Sequence, residues 1–242
     1  MEDPKKVAEE LSRAYAELFG ERLRSALLYG SVARGEAIGG VSDINVLLLL
    51  DRLDPATLRA ASPLARRWSG AGNAAPLFMT WDEWQSASDV FGIELADMRD
   101  AHIMLHGSDP LAGLEVERRA LRLQAERELR GKLLQLREGL LLAATDGKEI
   151  GRLLAVALPS FVTYLRAALR LAGRAVPIRT AAVIEEATAL VNAPGDAFLE
   201  VARARSEGKA LDLAVESPVV DGYFALAEQT ARFVDSLSED DA

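Results

Sequence analysis

Two short apolar runs, Ser25 to Tyr29 and Ile44 to Leu50, frame the first part of the chain. Neither alternates with polar residues, so each reads as a strand covered on both faces by helices. Around them the apolar period changes. Val7, Ala8, Leu11, Ala14, Tyr15 and Leu18 recur at helical spacing after Pro4, and Gly20 stops that helix. Asp54-Pro55 opens a helix to about Trp68, and Ser69 to Asn73 is a loop. Ala75 to Met79 reads as a third strand. Thr80, with Glu83 in capping-box position, starts a helix through about Val90. Phe91 to Leu95 reads as a fourth strand and Asp97 to Leu105 as a short helix ended by Gly107.

After Ser108-Asp109-Pro110 the strand signal disappears. Leu121, Leu129, Leu133, Leu136, Leu140 and Leu141 mark a long amphipathic helix. Ile150 to Leu171 is a second, with Pro159 as a kink, and Ile178 to Val191 a third. Phe198 to Ser206 and Ser217-Pro218 to about Leu237 complete the set, and Glu239-Asp240-Asp241 is a frayed acidic tail. The expected architecture is α+β: a small mixed β-sheet with flanking helices over residues 1–108, then an all-α helical bundle over 109–242. A substrate cleft is expected between the two.

Composition narrows the function. Half of the 242 residues are hydrophobic, which fits a globular chain. A net charge of −9 argues against a nucleic-acid partner and mildly favours a cationic acceptor. With no cysteine, disulfides and zinc–thiolate sites are excluded. The N-terminus lacks the form of a signal peptide, and the longest apolar run, Val46 to Leu50, is too short to span a bilayer. No membrane association and a cytoplasmic location are expected.

The chemistry concentrates between the first two strands. A strand that ends in Gly30-Ser31 and turns into a helix aims free backbone N–H groups outward, a setting for phosphate. Strand alternation puts Asp43 and Asn45 on one side with Ile44 opposite. Asp43 is the natural ligand for a hard cation such as Mg²⁺ beside that phosphate. Arg34 suits either a phosphate or an acid that steadies the loop; Glu36 is one such acid.

The set Gly30-Ser31, Arg34-Gly35 and Ser42-Asp43-Ile44-Asn45 resembles the polymerase-beta-like nucleotidyltransferases. It is similar in particular to the small bacterial members, the aminoglycoside and minimal nucleotidyltransferases. The resemblance covers residues 20 to 105 and extends loosely into the helical half. It implies transfer of a nucleoside monophosphate, AMP from ATP, to a hydroxyl of a small molecule or a protein. It implies Mg²⁺ at Asp43, Asn45 and Glu94, with Gly30, Ser31, Arg34 and Ser42 on the nucleotide. Glu94 would be a metal ligand or the base that deprotonates the acceptor; as a carboxylate between Ile93 and Leu95 on a strand it needs a reason to be there.

One element departs from the pattern, since Asn45 stands where the family carries a second Asp. Three readings stay open: catalysis with one Mg²⁺ or with the Asn45 carbonyl as ligand, nucleotide binding without transfer, or a degenerate remnant. Other residues read structurally. Asp97 suits a helix N-cap, and His102 and His106 are a surface pair on a helix rather than a zinc site. Trp81 and Trp84 belong to the core or a domain interface. The Arg residues from Arg118 to Arg137 form a solvated face, while Tyr164, Arg166 and Arg170 are candidates to reach the cleft.

Overall fold

The structure, a computed structural model, describes residues 3–39, 42–143 and 145–237. The expected acidic tail, Glu239 to Asp241, lies outside the described residues. The chain divides into two compact units, Met1–Val116 and Glu117–Ala242.

The first unit opens with α1 (Pro4–Phe19), where the Asp3 side chain accepts the Lys5 amide and Gly20 ends the helix at φ 55°. Then follow β1 (Leu23–Tyr29), β2 (Asn45–Leu50) and α2 (Pro55–Gly70). The remainder is β3 (Leu77–Thr80), α3 (Trp81–Gln85), a 3-10 turn at Ala87–Asp89, α4 (Gly92–Asp100) and β4 (His102–Gly107). Among the described residues the sheet has four strands in the order β3-β2-β1-β4. The β1 pairings with β2 and β4 are antiparallel, whereas β2 and β3 run parallel, so the sheet is mixed.

Alternation along the apolar stretches of β1 and β2 feeds two cores. Ala26, Leu28, Val46, Leu48 and Leu50 pack with Ala8, Leu11, Tyr15 and Phe19 of α1 and with Ala61 and Trp68 of α2. Leu27, Leu47 and Leu49 face the other way, onto Trp84, Leu95, Met98 and Leu111. Burial on both faces disfavours polar side chains, which is why Ala26 to Leu28 of β1 and Val46 to Leu50 of β2 are unbroken apolar runs, with Ser25 the buried exception. Tyr15 meets Phe78 edge to face at 5.3 Å, and burial pushes its phenol up to about 12. The Thr80–Glu83 capping box forms as expected, and Trp84 is a core residue whose indole N–H donates to the Pro110 carbonyl at 2.8 Å.

The segment from Phe91 to Gly107 inverts the sequence expectation. Phe91 to Leu95 is not a strand: Gly92–Asp100 is helix α4, and the strand is His102–Gly107. Ile93, Leu95, Ala96 and Met98 are buried while Glu94 and Arg99 are exposed, a pattern that helix and strand periods both accommodate over so few residues. His102 and His106 therefore lie on an edge strand, not on a helix. His102 Nδ1 donates to the Met98 carbonyl at 2.9 Å, and its Nε2 faces the Asp109 carboxylate at 3.5 Å.

The second unit is helical: α5 (Arg118–Ala143), α6 (Gly147–Leu171), α7 (Thr180–Val191), α8 (Asp196–Ser206) and α9 (Pro218–Ser236). Helix α6 is its axis. It is long and apolar enough to cross a membrane by length and composition, a feature that the short strand runs do not reveal. In the fold, 61% of that apolar window is buried, and Phe161, near its middle, meets Tyr223 and Phe198 edge to face. Arg166 is likewise buried inside this unit, donating to the Ile178 carbonyl at 3.2 Å. The α5 arginines are more than a solvated face. Arg118 donates to the Leu171 carbonyl at 2.8 Å and Arg122 to Leu237 at 2.6 Å, satisfying carbonyls at helix ends.

Candidate active site

The site grows from the end of β1. Tyr29 is its last residue, and Gly30 takes φ +80°, a conformation that a side chain would strain. The chain then folds into a tight turn in which the Arg34 amide donates to the Gly30 carbonyl and the Glu36 amide to Ser31, at 3.1 and 2.9 Å. The expected short helix at Ser31 does not form, and residues 30–35 are turn. The amides of Ser31, Val32 and Ala33 have no hydrogen-bond partner among the described residues. Successive free N–H groups in a turn are a concavity for an anion.

Strand β2 brings the second half. Register pairs Tyr29 with Asn45, so the head of β2 sits beside the turn. Ile44 is buried, while Asp43 is exposed and Asn45 half-buried. Ser42 closes the intervening loop: its hydroxyl accepts the Ile38 amide and its own amide donates to the Ile38 carbonyl, both at 2.9 Å. Asn45 leans on the turn. Its Nδ2 donates to the Asp43 carbonyl at 3.4 Å, and a Cβ built on Gly30 would fall 2.9 Å from that same nitrogen.

Helix α4 supplies the third part, by a route different from the one expected. Glu94 stands exposed in its first turn, where a carboxylate carries no burial cost. Its charge reaches Tyr29, whose phenol is raised above the ordinary range first by burial and then by Glu94. Asp97, one turn further along, is not an N-cap. It accepts from Arg34 Nη1 at 3.2 Å, with the two side chains 13% and 15% exposed. This pair ties the turn to α4 across 63 residues of sequence. Nothing in the local pattern marks Asp97 as the partner; a carboxylate spaced i, i+3 from Glu94 is the only hint. Arg34 Nε is buried with no hydrogen-bond partner, so the guanidinium depends on Asp97 for its compensation. Replacing Asp97 by Asn is expected to lower the stability of this unit by about 3 kcal/mol, since it strands a buried cation; urea denaturation against wild type measures it.

Tyr29, Asp43, Asn45, Glu94 and the Ser31–Ala33 amides thus gather at one end of the sheet, with Arg34 held behind them. Among the described residues no group of three or more His, Cys, Asp or Glu is positioned to hold a metal ion.

No protein-family model matches the sequence, and a search of curated proteins finds no match. Among solved structures, the chain is similar to spectinomycin adenyltransferase AAD(9) from Enterococcus faecialis, determined with ATP and spectinomycin. The TM-score is 0.58 at 10% identity, covering 95% of this chain and 99% of that one. The protein has a nucleotidyltransferase-like α+β fold: a small mixed sheet with flanking helices and a helical C-terminal region.

Proposed function

We propose that the protein transfers a nucleoside monophosphate, AMP from ATP, to a hydroxyl of a small molecule or a protein. The observation that carries this reading is the run of free amides at Ser31 to Ala33 beside the exposed Asp43 carboxylate. The turn binds and orients the triphosphate through N–H groups that need no rearrangement. Arg34, locked to Asp97, fixes the shape of the turn instead of reaching outward. The acceptor oxygen attacks the α-phosphorus, the bond to the bridging oxygen breaks, and pyrophosphate leaves. The acceptor proton passes to the Glu94 carboxylate, which faces the region of Tyr29 from α4. The ATP of the similar adenyltransferase supports the choice of nucleotide, and the net charge of −9 supports a cationic acceptor over a nucleic-acid partner.

Mg²⁺ is the cation this chemistry implies. Asp43 offers one exposed carboxylate, enough for a hard cation that takes its other oxygens from phosphate and water. The donors fit one such ion better than a cluster, because Asn45 turns nitrogen toward its neighbours and Glu94 sits on a separate element. Bound there, Mg²⁺ would neutralise charge on the phosphates.

The test is thermal unfolding with ATP, with and without Mg²⁺, joined to a pyrophosphate-release assay. A ligand at a hundred times its dissociation constant stabilises by about 2.7 kcal/mol, an easily read rise in melting temperature. ATP-dependent stabilisation with pyrophosphate release is expected; no stabilisation by any nucleoside triphosphate sinks the reading. Stabilisation without turnover would favour a second reading, a nucleotide-binding module that has lost transfer. The specific observation behind that one is the Asn45 amide in place of a second acid.

A further inference from the structure

The Asn45 side chain lies against the turn from the head of β2. Its Nδ2 lies toward the Asp43 carbonyl at 3.4 Å and against Gly30, where even a methyl group would come within 2.9 Å. An amide nitrogen has no lone pair to offer a cation; only the oxygen can ligate. The same nitrogen is a good donor to a carbonyl. Gly30 in turn holds the first hydrogen bond of the turn through its carbonyl, to the Arg34 amide at 3.1 Å. Register places Asn45 directly across from Tyr29, so its side chain springs from the strand position beside that turn. The contacts run in a line from the head of β2, through the carboxamide, to the glycine that shapes the anion-binding amides.

We propose that Asn45 is a positioning residue: its carboxamide props the Gly30 turn in its anion-binding shape, and it is not a metal ligand. This inference deepens the nucleotide reading above and rests on it for the identity of the anion. An Asp at this position turns a donor into a charged acceptor facing the Asp43 carbonyl, so the prop is lost although the shape is kept. The residue is thus a replacement with its own function: what the chain forgoes in ligand charge it uses to fix the turn from within. The consequence is that Asn45 contributes to nucleotide affinity whether or not a divalent cation is present.

Two measurements test it, both on the full chain. The first is hydrogen exchange without any ligand, at the Arg34 amide, in wild type, Asn45→Ala and Asn45→Asp. Exchange about five-fold faster or more in both variants is expected, the scale of one lost hydrogen bond. Unchanged exchange overturns the proposal, and circular dichroism identifies a variant that has lost its fold, in which case Asn45→Ser takes its place. The second is calorimetric affinity for a non-cleavable ATP analogue in excess EDTA and in Mg²⁺. Asn45→Ala is expected to weaken binding by a similar factor, about five-fold, in both buffers. Weakening confined to Mg²⁺ marks a ligand and overturns the proposal. If wild type binds no analogue in either buffer, the nucleotide reading falls, while the exchange measurement still decides whether Asn45 holds the turn.

Discussion

Asp43→Asn is expected to lower nucleotidyl transfer about a thousand-fold and to leave folding intact. The carboxylate is exposed at the head of β2 and makes no ion pair or cap among the described residues, so its loss leaves no buried group there unsatisfied. Stability should stay within about 0.5 kcal/mol of wild type, as for other surface changes. The chemistry is another matter. Asp43 is an exposed carboxylate at the head of β2 beside the free amides of the turn, and charge neutralisation at a transferring phosphoryl group is worth several kcal/mol. A loss of about 4 kcal/mol from the transition state corresponds to a thousand-fold. Pyrophosphate release under saturating ATP, with melting temperature as the folding control, checks both halves. A variant that retains wild-type turnover removes Asp43 from the mechanism.

The second large effect belongs to the helical unit. Phe161 is 1% exposed on α6 and meets Tyr223 and Phe198 edge to face at 5.7 and 6.0 Å, while those two rings stack at 4.1 Å. Its removal leaves a cavity among rings that have no freedom to collapse, because the Tyr223 hydroxyl is held by the Leu154 carbonyl at 3.2 Å. That same burial holds the Tyr223 phenol well above its ordinary range, so the ring stays neutral through the working pH range. Phe161→Ala is expected to cost about 3–5 kcal/mol and to lower the melting transition of this unit by roughly 10 °C or more. Leu142→Ala, at a position 89% exposed, is the control and should change stability by less than about 0.5 kcal/mol. Thermal and urea unfolding followed by circular dichroism distinguish the two.

The sequence was most legible where a local rule acts alone. Asp3-Pro4, Asp54-Pro55, Thr80 with Glu83 and Ser217-Pro218 all start helices, because a cap is satisfied within its own first turn. It was least legible at α4 and β4. Nine residues of helix and six of strand each bury apolar side chains without a period that excludes the other, and pairing with β1 chose between them. That one exchange carried Glu94 off a strand onto an exposed helical turn and His102 onto the sheet.

By itself, then, the sequence determined that the apolar stretches of β1 and β2 would be buried on both faces, that Gly30-Ser31 would turn the chain there, and that Ile44 would be buried between the more open Asp43 and Asn45. These follow from side-chain hydrophobicity and a period of two, which need no partner to act. Only the tertiary structure decided that Arg34 is held by Asp97, that Glu94 comes from a helix, and that the Asn45 amide faces Gly30 with its nitrogen. Each of these depends on which distant group lies within about 3 Å, the distance over which hydrogen bonds and close ion pairs operate. No spacing along the chain encodes it.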